Sequence, residues 1–124
     1  MKPFVSILIL LSIAPPLLAA QEKDSLVITE NTSKASVRKA LKNNHRIFLK
    51  SPSENCDQVI NGAELLLFKV YGRKRILNEK PYHCSSDEIW WHLYGDLPTG
   101  SLGGVFEVII GKETKEVMKI IHTQ

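Results

Sequence analysis

Residues 51–72 read Ser51-Pro52-Ser53-Glu54-Asn55-Cys56-Asp57-Gln58-Val59-Ile60-Asn61-Gly62-Ala63-Glu64-Leu65-Leu66-Leu67-Phe68-Lys69-Val70-Tyr71-Gly72, and they decide the architecture. Ser51 can cap a helix, Pro52 suits its first position, and Glu54 can reach back to the capping residue's amide. Beyond them Cys56, Val59, Ile60, Ala63, Leu66, Leu67, Val70 and Tyr71 recur at spacings of three and four. That is one apolar stripe, and Gly72 supplies a left-handed stop. The spacing predicts a helix over about residues 52–71. At about 25 cal/mol per Å² of apolar surface removed from water, the stripe is the largest single contribution to a core.

From Tyr82 onward the apolar period changes to two, with turn signals at Ser85-Ser86-Asp87, Asp96-Leu97-Pro98-Thr99-Gly100 and Gly111-Lys112-Glu113. Strands are expected near 88–95, 103–110 and 117–122, with a fourth around Tyr82-His83-Cys84. Their short connections make antiparallel neighbours. On the other side of the helix, Lys34 to Lys42 puts Val37, Ala40 and Leu41 on one helical face, with Asn43-Asn44 as a stop. Ile47-Phe48-Leu49 is a brief strand or a staple under the following helix. Leu26-Val27-Ile28 is a loose tail or one edge strand. The fold class is α+β: helices packed on one face of an antiparallel sheet.

At 124 residues there is room for one domain. Sixteen Lys and Arg against thirteen Asp and Glu give +3, too little charge, too evenly spread, for a nucleic-acid surface. Met1-Lys2, the apolar run from Phe4 to Ala14 and Pro15-Pro16-Leu17-Leu18-Ala19-Ala20 have the form of a secretory signal peptide cleaved after Ala20 or Ala19. The run is too short, and too broken by its prolines, to compete well as a membrane anchor. Residues 21–124 are then one soluble periplasmic domain, without membrane attachment after cleavage. In an oxidising compartment Cys56 and Cys84 are expected to pair, two buried thiols being the alternative. A bridge from the helix start to Cys84 requires the chain to double back beneath it.

None of His45, His83, His92 and His122 falls in a zinc-binding pair, and two cysteines 28 apart lack metal-ligand spacing. His83 and Cys84, adjacent on a strand, point to opposite faces and cannot easily share a proton. Thr99-Gly100-Ser101-Leu102-Gly103-Gly104 lacks the lysine and the following helix of a phosphate loop. Asp87-Glu88 and Glu107 form no acid/base pair that the pattern brings together, so neither an enzyme nor a cofactor is expected. The cluster Trp90-Trp91-His92-Leu93-Tyr94 says more. Alternation sends Trp91 and Leu93 to one face and Trp90, His92 and Tyr94 to the other. With the first pair under the helix, the second set is either an open partner-binding stripe or a second small core covered by the N-terminal segment.

Val70-Tyr71-Gly72, Glu79-Lys80-Pro81-Tyr82, Trp91 with Leu93 and Gly95, Leu97-Pro98-Thr99-Gly100-Ser101-Leu102-Gly103-Gly104-Val105-Phe106-Glu107-Val108, and Lys115-Glu116-Val117 leading to His122 resemble the nuclear transport factor 2 fold immunity proteins over roughly residues 56–122. Those are small bacterial proteins that neutralise a cognate toxin. The turn before the last strand departs from the pattern, with Gly111 opening it and Thr114-Lys115-Glu116 closing it; residues 21–50 and the cysteines lie outside it. The resemblance implies a curved antiparallel sheet with helices against its concave face, no catalysis and a cognate protein toxin as partner. It transfers no toxin-binding residues. Two other classes fit the composition: a periplasmic small-ligand module, which needs a polar cavity between helix and sheet, and an inhibitor of a host hydrolase such as lysozyme.

Overall fold

The computed structural model describes residues 24–97 and 103–123. Its elements are β1 (Ser25–Ile28), α1 (Lys34–Lys42), β2 (Arg46–Leu49), α2 (Cys56–Tyr71), α3 (Arg73–Leu77), β3 (His83–Ser86), β4 (Trp90–Tyr94), β5 (Phe106–Gly111) and β6 (Val117–His122). The signal peptide expected over 1–20 lies outside the described residues, as does most of the glycine-rich turn after Leu97.

The short helix forms where the sequence predicts it. Ser33 caps α1 by accepting from the Ser36 amide at 3.0 Å, and Asn43 and Asn44 end it, the latter at φ 56°. Val37 and Ala40 are buried, Leu41 packs against them, and Lys39 and Lys42 sit in the last turn where the helix dipole favours cations. β1 and β2 are both strands, paired in parallel with Ser25 opposite Arg46 and Ile28 opposite Leu49. With α1 as the crossover they form a small β-α-β unit.

The long helix starts four residues later than expected. Asn55, not Ser51, is the cap: its Oδ1 accepts from the Gln58 amide at 2.9 Å, and Gln58 Oε1 accepts from the Glu54 amide at 2.9 Å. Two capping motifs compete one turn apart. The second wins, and the Ser53 carbonyl, free of the helix, accepts the Trp91 indole N–H at 3.1 Å. At the other end Gly72, at φ 97°, stops the helix after Tyr71 as expected, its amide donating to the Phe68 carbonyl, and turns the chain. The next residue begins α3, an element that five residues with no readable period did not announce.

The four later strands form one antiparallel sheet in the order β3-β4-β5-β6. Expected strands at 88–95 and 103–110 shorten to 90–94 and 106–111. Asp87 closes the first hairpin, its Oδ1 accepting from the Ile89 and Trp90 amides at 2.8 Å each. Those bonds, the Trp90 amide foremost, hold its carboxyl below the ordinary aspartate range. Inward residues Trp91, Leu93, Phe106, Val108 and Ile110 join Val59, Ala63, Leu66 and Leu67 of α2 in one buried cluster. The Leu49 amide donates to the Lys115 carbonyl at 2.9 Å, tying the β-α-β unit to the start of β6.

Two further ties cross the layers. Cys56 and Cys84 form a disulfide, with Cα atoms 6.1 Å apart, between the first residue of α2 and the second of β3. The predicted doubling back is therefore present. Glu79, buried between α3 and β3, accepts from the Phe106 amide at 2.7 Å and lies 2.9 Å from His122 Nε2 on β6. His122 Nδ1 lies 2.9 Å from the Thr123 carbonyl.

Candidate functional site

Strand alternation divides β4 as the sequence predicts. Trp91 and Leu93 are buried, while Trp90 and Tyr94 are 36% and 38% exposed and His92 is half-buried. Among the described residues no N-terminal strand covers the outward set. β1 pairs with β2 instead of lying across β4.

Register supplies the neighbours of this row. Trp90 lies opposite Gly111, His92 between Ser85 and Ile109, and Tyr94 between His83 and Glu107; beyond them β6 brings Lys119 and Ile121. The His83 ring stacks on Tyr94, centroids 4.8 Å apart and planes 20° apart, and its Nε2 lies 2.9 Å from Asp96 Oδ1. His92 Nε2 lies 3.1 Å from Glu107 Oε2, and Lys119 Nζ bonds the other Glu107 oxygen. Lys119 first, and His92 second, hold the Glu107 carboxyl below the ordinary glutamate range. The Asp96 and Glu107 carboxylates thus orient the two imidazoles beside Tyr94, His83 by stacking on its ring and His92 from the same strand.

The sequence reveals no acid/base pair, yet the strands bring one imidazole and one carboxylate together at His92 and Glu107. The pairing depends on the register of β4 against β5 across the intervening loop, which no local pattern encodes. Ser85 stands in the same row, but among the described hydrogen bonds its hydroxyl makes none to His92. What the geometry achieves is a side-chain contact that orients the ring. Of the remaining candidate residues, His122 is part of the buried Glu79 tie, and Cys56 and Cys84 are joined to each other. Among the described residues no group of three or more His, Cys, Asp or Glu is placed to hold a metal, and no helix is long and apolar enough to cross a membrane.

Two hollows flank the row. One of about 340 Å³ is lined by Ser85, His92, Tyr94, Phe106, Glu107 and Thr123. The other, about 410 Å³, lies at the Trp90 end between the β3–β4 and β5–β6 turns, with Ile89 and Met118 beside Trp90. The ladder shifts register between Ile109, opposite Lys119, and Ile110, opposite Val117. Met118 falls in that irregularity and is 51% exposed; Ile89, in the opposite turn, is 59% exposed. Neither residue carries a sequence signal, because a register irregularity and a turn tip decide their exposure. Between α2 and the sheet the space is filled by Leu66, Leu67, Leu93, Phe106 and Val108, all fully buried, so a polar ligand chamber is not what lies there.

No curated protein and no solved structure matches the chain. A family match, to the NTF2 fold immunity proteins, covers residues 59–124, which hold the helix α2 from Val59 onward, the whole four-stranded sheet and the outward row. It coincides with the stretch over which the sequence resembles that family, and because it spans more than half of the polypeptide, the chain belongs to the NTF2 fold immunity protein family.

Proposed function

We propose that this protein is exported to the periplasm through the signal peptide at residues 1–20, and that residues 21–124 are a single domain that binds and neutralises a cognate toxin acting there. In the curved sheet that the family fold implies, the face turned away from the helices carries the binding surface, with Trp90, His92 and Tyr94 as its central row. The observation that carries this reading is the exposed aromatic row, Trp90 and Tyr94 with His92 between them, on the face of β4 opposite Trp91 and Leu93. Exposed Trp and Tyr are the residue types that anchor protein interfaces. The disulfide is compatible with an oxidising compartment. Neutralisation needs no chemistry from this chain. A complementary surface that covers the toxin's working cleft and dissociates slowly is enough.

Co-expression with the product of the neighbouring upstream gene, exported to the periplasm, tests it. Cells producing both proteins should survive, and the two should co-purify. Loss of viability despite full expression of this chain, with no complex formed, would refute the proposal.

A further inference from the structure

Charge is distributed unevenly between the two parts of the fold. Between residues 34 and 80, which supply the helices and β2, there are eleven Lys and Arg against four Asp and Glu. From residue 81 onward, which supplies the sheet, there are three Lys against six Asp and Glu. A chain that is slightly basic overall therefore carries a net acidic sheet.

The hollow at the Trp90 end concentrates this. Its apolar lining is Trp90 with Ile89 and Met118, the last two being the most exposed large hydrophobic side chains among the described residues. Its charged lining is three carboxylates, Glu88, Glu113 and Glu116, against one cation, Lys112. Glu116 is taken by Arg46 of β2 through hydrogen bonds from Nε at 3.1 Å and Nη2 at 2.8 Å. Lys112 lies over the Trp91 ring at 4.9 Å. Glu88 and Glu113 are exposed and have no ion-pair partner among the described residues. An apolar hollow with two unengaged carboxylates on its rim is complementary to an apolar side chain flanked by cations.

We infer that this hollow receives a segment of the toxin in which one large apolar side chain is flanked by lysine or arginine. The inference rests on the immunity reading and deepens it by giving the chemistry of the partner's contact. The apolar side chain fills the space between Trp90, Ile89 and Met118, and the flanking cations meet Glu88 and Glu113. The acidic sheet steers a basic partner to this face, and the basic helices repel it from the other.

The experiment uses the mature protein and the purified product of the upstream gene. Binding is measured for the wild type, for Glu88→Lys/Glu113→Lys, for Met118→Ala, and for Arg38→Glu/Lys42→Glu on α1 as the control. The charge reversal should weaken binding at least tenfold and flatten its salt dependence. Met118→Ala should weaken it severalfold, and the α1 control should stay within about twofold. Carbodiimide cross-linking of the wild-type complex should join Glu88 or Glu113 to a toxin lysine, a result that does not depend on any variant folding. If the wild type binds but the reversal leaves affinity within twofold, or cross-links run only from α1 lysines to toxin carboxylates, this inference is overturned and the immunity reading stands. If the wild type forms no complex and gives no protection, the immunity reading itself fails, and the inference falls with it.

Discussion

Trp90 and Trp91 are neighbours with opposite roles, and replacing each in turn separates the binding surface from the core. Trp90 is 36% exposed. For a side chain of roughly 250 Å² that leaves about 90 Å² to cover on docking, worth about 2 kcal/mol at 25 cal/mol per Å². Trp90→Ala should therefore weaken toxin binding about 30-fold. Trp90 is outside the buried cluster and rests on Gly111 across the strand, so its removal should cost about 1–2 kcal/mol of stability and leave the protein folded. Trp91 is 7% exposed and donates its indole N–H to Ser53. Trp91→Ala should cost about 3–5 kcal/mol of stability, because it opens a cavity under α2 and strands the Ser53 carbonyl. Calorimetric titration with the purified toxin gives the first quantity, and urea unfolding followed by far-ultraviolet dichroism gives the second. A Trp90→Ala protein that is unfolded, or that binds within twofold of wild type, would refute the reasoning.

Three other perturbations test the scaffold. The disulfide joins residues 28 apart, so Cys56→Ser/Cys84→Ser should lower stability by about 3.5 kcal/mol in the chain-entropy account; a loss below about 1 kcal/mol in urea unfolding contradicts that account. At Gly95 an added Cβ would sit 2.5 Å from Glu79 Oε1 and 2.8 Å from Glu79 Cβ. Gly95→Ala should drive the carboxylate off the Phe106 amide at a cost of about 3 kcal/mol, and a wild-type melting temperature argues against the clash. Glu107 has a lowered folded pKa, so its contribution is present above its ordinary value of 4.5 and is lost as pH falls through the lowered one. The urea midpoints of wild type and Glu107→Gln should differ near neutrality and converge in acid, and a gap that does not close there removes Glu107 as the titrating group.

What was legible in the sequence was whatever a short window encodes. Ser33 and Asn43-Asn44 bound α1, and alternation divided Trp90, His92 and Tyr94 from Trp91 and Leu93. The cysteine pair followed from an even count together with the expectation of an oxidising compartment. The start of α2 was misplaced because Ser51-Pro52-Ser53-Glu54 and Asn55 with Gln58 are both good capping motifs, and only the tertiary contact from Trp91 to Ser53 separates them. The parallel pairing of β1 with β2 was not legible, since each strand has four residues and their pairing depends on the α1 crossover. Nor was the Glu79–His122 tie, whose members are 43 residues apart and meet only after the sheet is assembled.

Charge shows most sharply why the site needs the fold. Counted along the chain, the charges nearly cancel, and that balance argues only against nucleic acid. Placed on the fold, the same residues separate into a basic helical part and an acidic sheet, and pairing then decides which of them face a partner. Arg46 engages Glu116, Lys119 and His92 engage Glu107, and Lys112 lies over Trp91. Glu88 and Glu113 are left beside the exposed Ile89, Trp90 and Met118. Exposed ion pairs add little to stability, so the stronger consequence of this arrangement is selective. A partner without cations would leave Glu88 and Glu113 desolvated and unmatched, and burying an unmatched charge costs more than a missing contact. On the proposal that a basic, apolar-tipped segment docks here, its selection rests on the two carboxylates without an ion-pair partner among the described residues, a property of strand register and not of composition.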